Sequence, residues 1–189
     1  EGAYGSAVQQ AMDPGSPLHG AGLDMLLLSS DVRSLGLSRA AETPEDADAR
    51  VDGAFGRFKM IVEGFRASVG AAILVQTVVP PLEPLFGSLD RVERTSAYAM
   101  VAALNARLRD WASEGAVVLL DVARLAETIG LERWDAPRHW HASKLPFAPE
   151  MAPAYGDVVA RTLAALRGRA RKCLVLDLDN TLWGGVIGD

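Results

Sequence analysis

Cysteine is almost missing from this chain: Cys173 is the single one in 189 residues. That excludes an internal disulfide framework and a cysteine-built zinc site, and it fits a reducing, cytoplasmic location. No apolar run approaches the ~18 residues that cross a bilayer, so no membrane span is expected. The amino terminus lacks a basic stretch followed by an apolar one, so no signal peptide is expected either. Positive charge is also in short supply. Against 24 Asp and Glu stand 19 Lys and Arg, a net charge of −5, which argues against general binding to nucleic acid or anionic membrane. What is there is ordinary for a folded chain: 49% hydrophobic and 23% charged residues, which excludes disorder as the main state. At roughly 100–200 residues per domain the length allows one domain or slightly more. The chain opens on Glu1 and stops at Asp189 just after a Gly-rich stretch, and is expected to be an internal fragment.

Short apolar runs alternate with longer amphipathic ones. Residues 23–28, 71–79, 116–120 and 173–178 read as strands. Thr43-Pro44-Glu45-Asp46 reads as a helix start, with Thr43 as N-cap, Pro44 in the first turn and acids where the helix dipole favours them. Phe55, Phe58, Val62, Phe65 and Val69 then recur at spacings of three and four, a core-facing stripe. Asp90-x-x-Glu93 predicts a capping box before a second helix, whose stripe is Ala97, Met100, Leu104, Leu108 and Trp111. A short helix over 123–129 stops at Gly130. Residues 131–147, with two Trp and two His, read as irregular. A last helix from about Pro149 turns Met151, Tyr155, Val159, Leu163 and Leu166 inward. His19 falls in a polar loop and is expected to be solvated.

Continuous apolar strands alternating with helices predict an α/β fold, a parallel sheet flanked by helices on both faces. The boundary falls at the basic hinge from Arg167 to Lys172, near Gly168. It separates a domain over 1–168 from the start of a second one over 169–189.

The sharpest chemical signal is Asp177-Leu178-Asp179-Asn180-Thr181 at the end of the apolar strand 173–178. Two carboxylates spaced i, i+2 lie on the same side of an extended chain. Ligands of open parallel sheets bind beyond the carboxyl ends of the strands. Two such carboxylates can hold Mg²⁺, a hard cation that shares its sphere with phosphate oxygens. One Asp can attack phosphorus, and the other can move protons at the leaving and entering oxygens. Cys173 lies four residues before Asp177, about 13 Å along an extended strand. It reads as a core cysteine.

This stretch resembles motif I, Asp-x-Asp-x-Thr, of the haloacid dehalogenase (HAD) superfamily. The longer string KCLVLDLDNTLWGGVIGD resembles the FkbH-like family within it. That resemblance implies an SGNH-hydrolase-like (flavodoxin-like) amino-terminal domain, here lacking its first strand. After it would come a HAD phosphatase-like, Rossmann-like domain, represented here by its first strand. It implies Asp177 as nucleophile, Asp179 as general acid/base, both at the Mg²⁺ site, with Thr181 supporting the turn. It also implies the loading of a glyceryl unit, from a phosphorylated three-carbon acid, onto an acyl carrier protein in polyketide or related biosynthesis. The remaining motifs of a HAD site would follow Asp189, and Leu178 stands between the two acids where a thiol would serve an acyl transfer.

The first 168 residues depart from an active SGNH esterase. Where Gly-x-Asn-Asp would follow a strand, the chain reads Ser29-Ser30-Asp31-Val32, without the Asn oxyanion donor. Asp135 and His139 are four apart rather than three, and His141 matches no better. Three functions therefore stand at the level of sequence: a HAD-type phosphatase or transferase, a non-catalytic SGNH-like module that docks the carrier protein, and an SGNH-type esterase. Trp134, Trp140, Lys144 and Pro146 would shape a cleft or docking surface.

Overall fold

Three of the apolar runs pair into one parallel sheet. In the computed structural model, which describes residues 5–66, 70 and 72–169, the strands are β1 (Met25–Leu28), β2 (Ala72–Gln76) and β3 (Val118–Leu120), ordered β1-β2-β3. Met25 stands opposite Ala72 and Leu28 opposite Val75; Leu74 stands opposite Val118 and Gln76 opposite Leu120. The intervening helices are α1 (Ala7–Met12), α2 (Pro44–Arg66), α3 (Ala97–Ser113), α4 (Val122–Ile129), α5 (Leu131–Trp134), α6 (Pro137–Ser143) and α7 (Ala152–Leu166). The expected α/β fold with a helix-flanked parallel sheet is the fold observed. Two compact units divide between Tyr155 and Gly156, a division that falls inside α7.

Alternation along β2 explains the layering. Ile73 and Val75 point to one face and join the core made with Phe58, Val62 and Phe65 of α2 and Met100, Leu104 and Leu108 of α3. Leu74 and Gln76 point to the other face and are buried as well. A strand sealed on both faces is what a central parallel strand requires. Each of the large core side chains contributes about 1.5–3 kcal/mol by leaving water. Both sequence stripes hold where they are described: Phe58, Val62 and Phe65 are buried, and all five residues of the α3 stripe are buried. Phe55 packs at the margin, its ring edge-on to Trp111 at 5.7 Å. Val69 lies outside the described residues.

Local chemistry sets the ends of the elements. The Asp46 N–H donates to Thr43 Oγ1 at 3.1 Å, the expected N-cap bond of α2. The Arg50 side chain, bonded to the Asp46 carboxylate, holds that carboxyl below its usual range. The expected capping box at Asp90 and Glu93 does not form. Asp90 sits inside a 3₁₀ turn, Gly87–Arg91. Its carboxylate accepts from the backbone N–H of Leu85 and Phe86. The cap of α3 is Ser96, whose Oγ accepts from Ala99 N.

Other expectations also need correcting. The strand expected over 71–79 stops at Gln76, because the N–H and C=O of Val78 are taken by the Asn105 side chain. The strand expected from residue 23 begins at Met25, after Gly22 turns the chain with φ 59°. The segment 131–147 is not irregular. Gly130, at φ 100°, ends α4 and opens α5, and Pro137 takes the first-turn position of α6, where its missing N–H costs nothing. His19 is half-buried against the Phe65 ring at 4.9 Å, with Nε2 3.0 Å from the Gln10 carbonyl oxygen. Of the stripe expected on the last helix, Met151, Tyr155, Val159 and Leu163 are half-buried. Leu166 is exposed, in the last turn before the chain leaves the helix.

In the second unit, α7 ends in a Schellman pattern. Gly168, at φ 68°, donates to Ala165 O, and Arg169 N donates to Ala164 O. The hinge glycine read from the sequence is the helix stop.

Candidate functional site at the carboxyl edge of the sheet

All three strands deliver polar residues to the same edge. After β1 comes Ser29-Ser30-Asp31. The Asp31 carboxylate accepts from Arg33 N at 2.9 Å and Ser34 N at 3.2 Å, folding the chain into a tight turn. After β2, Thr77 Oγ1 donates to Asp121 Oδ1 at 3.0 Å and accepts from Ala123 N at 2.9 Å. Asp121 also caps α4 through Arg124 N. This ties the ends of β2 and β3 together. Beyond Val78, held by Asn105, the segment Val79-Pro80-Pro81, with Pro80 buried, has few conformational choices.

Gln76 is the polar centre of this edge, only 4% exposed. Its Nε2 donates to Ser30 O at 3.1 Å, and its Oε1 accepts from Tyr155 Oη at 3.0 Å. Burial pushes the Tyr155 phenol above its ordinary range, partly offset by a hydrogen bond with Ser29. The Phe147 ring lies between Tyr155 and Trp134, at 5.0 Å and 4.9 Å.

Between the β1 and β2 loops and the α5–α6 segment lies a cavity of about 700 Å³. Its walls carry Arg33, Arg39 and His141 as basic groups and Asp31, Glu83 and Asp135 as acidic ones, with Trp134, Trp140 and Phe147 as the aromatic wall. Arg33 Nη2 lies 3.9 Å from Asp135 Oδ1, and its guanidinium carbon lies 5.0 Å from the Trp140 ring centroid. Lys144 Nζ lies 3.9 Å from the same centroid. A second cleft of about 940 Å³ is more apolar, walled by Leu26 and Leu28 of β1 and Met60, Ile61 and Phe65 of α2.

Asp177 and Asp179 lie outside the described residues, as do Thr181, Cys173 and the strand expected over 173–178. Among the described residues no group of three or more His, Cys, Asp or Glu is placed to hold a metal ion. Of the other candidates, Trp134, Asp135, Trp140, His141 and Pro146 meet on the cavity wall, and His139 does not. Asp135 is paired with Arg33 and bonds to neither histidine among the described residues, so the Asp–His pair of an esterase is not assembled. Sequence reasoning missed Arg33, Gln76, Asn105 and Tyr155. A glutamine interrupting the apolar run 72–79 was the one available signal.

Among the described residues no helix is long and apolar enough to cross a membrane. No protein-family model matches the chain, and no curated protein matches it. The fold is similar to the crystal structure of the N-terminal part of the protein BF1531 from Bacteroides fragilis, a part containing a phosphatase domain complexed with Mg. The TM-score is 0.82 at 21% identity, over 100% of this chain and 50% of that one. This chain thus spans half the length of that structure, and the likeness establishes a shared fold.

Proposed function

We propose that this chain belongs to a Mg²⁺-dependent phosphoryl-transfer enzyme of the HAD type, resembling the FkbH-like family, with Asp177 and Asp179 as its catalytic carboxylates. The observation that carries the reading is the string Asp177-Leu178-Asp179-Asn180-Thr181 behind a continuous apolar run. The fold shared with a protein part that contains a Mg-bound phosphatase domain supports it. Two carboxylates are the hard oxygen donors that suit Mg²⁺. Bound by Asp177 and Asp179, the ion would screen the phosphoryl charge. The Asp177 carboxylate attacks phosphorus of a phosphomonoester and the bond to the leaving oxygen breaks, while Asp179 gives that oxygen its proton. Asp179 then takes a proton from the water that hydrolyses the aspartyl phosphate.

The finer reading is a phosphorylated three-carbon acid as substrate, an acyl carrier protein as partner and a cytoplasmic setting. Residues 1–168 would form an SGNH-like docking module and 169–189 the start of the catalytic domain. The module reading is favoured over an esterase because, among the described residues, Asp135 is hydrogen-bonded to neither His139 nor His141, its ion-pair contact being with Arg33. Removing an oxyanion donor alone costs ~3–4 kcal/mol of barrier lowering, and the sequence lacks the Asn that would supply one.

The test uses the full-length gene product with 3-phosphoglycerate and Mg²⁺. Asp177→Asn is expected to abolish phosphate release and Asp179→Asn to slow it by about 10²–10⁴-fold, with carrier-protein binding retained in both. Undiminished phosphate release from Asp177→Asn would remove that residue as nucleophile. Loss of carrier binding along with catalysis would overturn the division of labour.

A further inference from the structure

We propose that the cavity at the carboxyl edge of the sheet is a binding site for a small organic oxyanion. The recognising groups are the Arg33 guanidinium and the indole N–H groups of Trp134 and Trp140. The proposal does not rest on the chemistry of Asp177 and Asp179.

The first observation is a pair of orphaned donors. The Nε1 atoms of Trp134 and Trp140 are both buried and have no hydrogen-bond partner among the described residues. Trp134 is itself only 2% exposed. The large majority of buried polar groups in native proteins are paired. Two unpaired donors on residues of one cavity wall require an explanation, and an indole N–H can be satisfied only by an acceptor.

The second observation is the state of Arg33. Its contact with Asp135, at 3.9 Å, is longer than a hydrogen bond. Its guanidinium carbon lies 5.0 Å from the Trp140 ring centroid, a contact with the ring face that does not use its N–H groups. A guanidinium held in place but not engaged through its fork is ready for a bidentate acceptor, a carboxylate or a phosphate. Arg39, on the same wall, has no ion pair among the described residues.

The acids do not cancel this. The Asp31 carboxylate is occupied by two backbone N–H donors, Asp135 at 3.9 Å is the loose partner that an incoming anion would replace on Arg33, and Glu83 is exposed to solvent.

Size and place agree. A cavity of about 700 Å³ falls within the usual range for small-molecule sites. It lies beyond the carboxyl ends of β1 and β2, where open parallel sheets take their ligands. The aromatic wall suits an apolar or planar body behind the anionic group. Both indole nitrogens are shielded, so entry needs a small shift of α6. That helix has no buried residue and ends at Lys144 in a left-handed conformation, φ 59°.

The test follows the tryptophan indole N–H resonances of the full 189-residue chain by NMR during titration with phenyl phosphate and, separately, benzoate. Trp111, packed against Phe55 in the core, is the internal reference. The expected result is a saturable downfield shift of the Trp134 and Trp140 signals with Trp111 unmoved. Arg33→Gln is expected to weaken binding about tenfold or more, the scale of a lost charge-assisted hydrogen bond, and Arg39→Gln less. The probe with the lower dissociation constant identifies the preferred anion. No saturable shift with either probe would overturn the proposal. So would binding that survives both arginine substitutions. Should Arg33→Gln fail to fold, Trp140→Phe decides: it must weaken binding while the Trp134 signal still reports.

Discussion

Asn105, midway along α3, holds the backbone of Val78 with two hydrogen bonds: Val78 N–H donates to its Oδ1 and its Nδ2 donates to the Val78 carbonyl, each at 2.8 Å. Both residues are buried. The pair acts as a substitute for a further strand neighbour and sends the chain out of the sheet toward the cavity. Asn105→Ala leaves a buried N–H and a buried C=O unpaired, each costing about 1–3 kcal/mol. A loss of about 2–4 kcal/mol in urea unfolding is expected. Asn105→Asp keeps the acceptor but sets a carboxylate against the Val78 carbonyl, and is expected to destabilise as well. Wild-type stability in the alanine variant would mean the pairing is not what ends β2.

Ser96 is fully buried and bonded twice, accepting from Ala99 N and donating to the Asp90 carbonyl. It joins the 3₁₀ turn to the start of α3. Ser96→Ala removes the cap and strands the Asp90 carbonyl, so a cost of about 1–2 kcal/mol is expected. Thermal unfolding measures it, and amide exchange at Ala99 should accelerate. Unaltered exchange there would show that the cap is not the bond that matters.

Two glycines of α2 separate helix propensity from packing. A Cβ on Gly64 would meet the Ala11 carbonyl oxygen at 2.6 Å, a clash with backbone. A Cβ on Gly56 would meet nothing within 4 Å. Alanine gains about 0.5–1 kcal/mol over glycine inside a helix, while overpacking a close contact costs about 1–3 kcal/mol. Gly56→Ala is therefore expected to stabilise and Gly64→Ala to destabilise. Equal signs in chemical denaturation would contradict the close approach of α1 and α2.

The framework is legible in the sequence wherever one element's own spacing decides the matter. The stripes of α2 and α3 are set by side chains three and four apart, and the N-cap at Thr43 by a bond across three residues. The expected capping box does not form because Asp90 finds its partners behind it, at Leu85 and Phe86. The roles of Gln76 and Asn105 depend on residues 46 and 27 positions away, Ser30 and Val78, which no local pattern carries. The same holds for the site. The paired acids Asp177 and Asp179 form a local motif and announce themselves, although they lie outside the described residues. Of the cavity only one wall is legible in the sequence, where Trp134, Trp140 and Pro146 are expected to shape a cleft; the rest is assembled from separated loops, and an orphaned indole N–H has meaning only once its surroundings are folded.

Tyr155 links stability to alkaline pH. Its hydroxyl donates to Gln76 Oε1, and desolvation raises the phenol above its ordinary value of 10.0. The sign follows from proton counts. Above the unfolded value the unfolded chain has lost the proton while the folded chain keeps it, so the folded state binds more protons and stability falls as pH rises. Below that value the contribution is complete, and between neutral pH and about pH 9 this group gives no slope. Tyr155→Phe should lower stability at neutral pH by about 1–2 kcal/mol, because the Gln76 carbonyl oxygen loses its donor in a buried setting. The same variant should lose stability less steeply above pH 10 than the native chain, since its unfolded state has one fewer phenol to ionise. Urea midpoints of both proteins from pH 7 to 11 measure the two effects together. Parallel curves over the whole range would mean that the Tyr155 phenol ionises alike in the folded and unfolded chain, and its bond to Gln76 would not be the buried contact described.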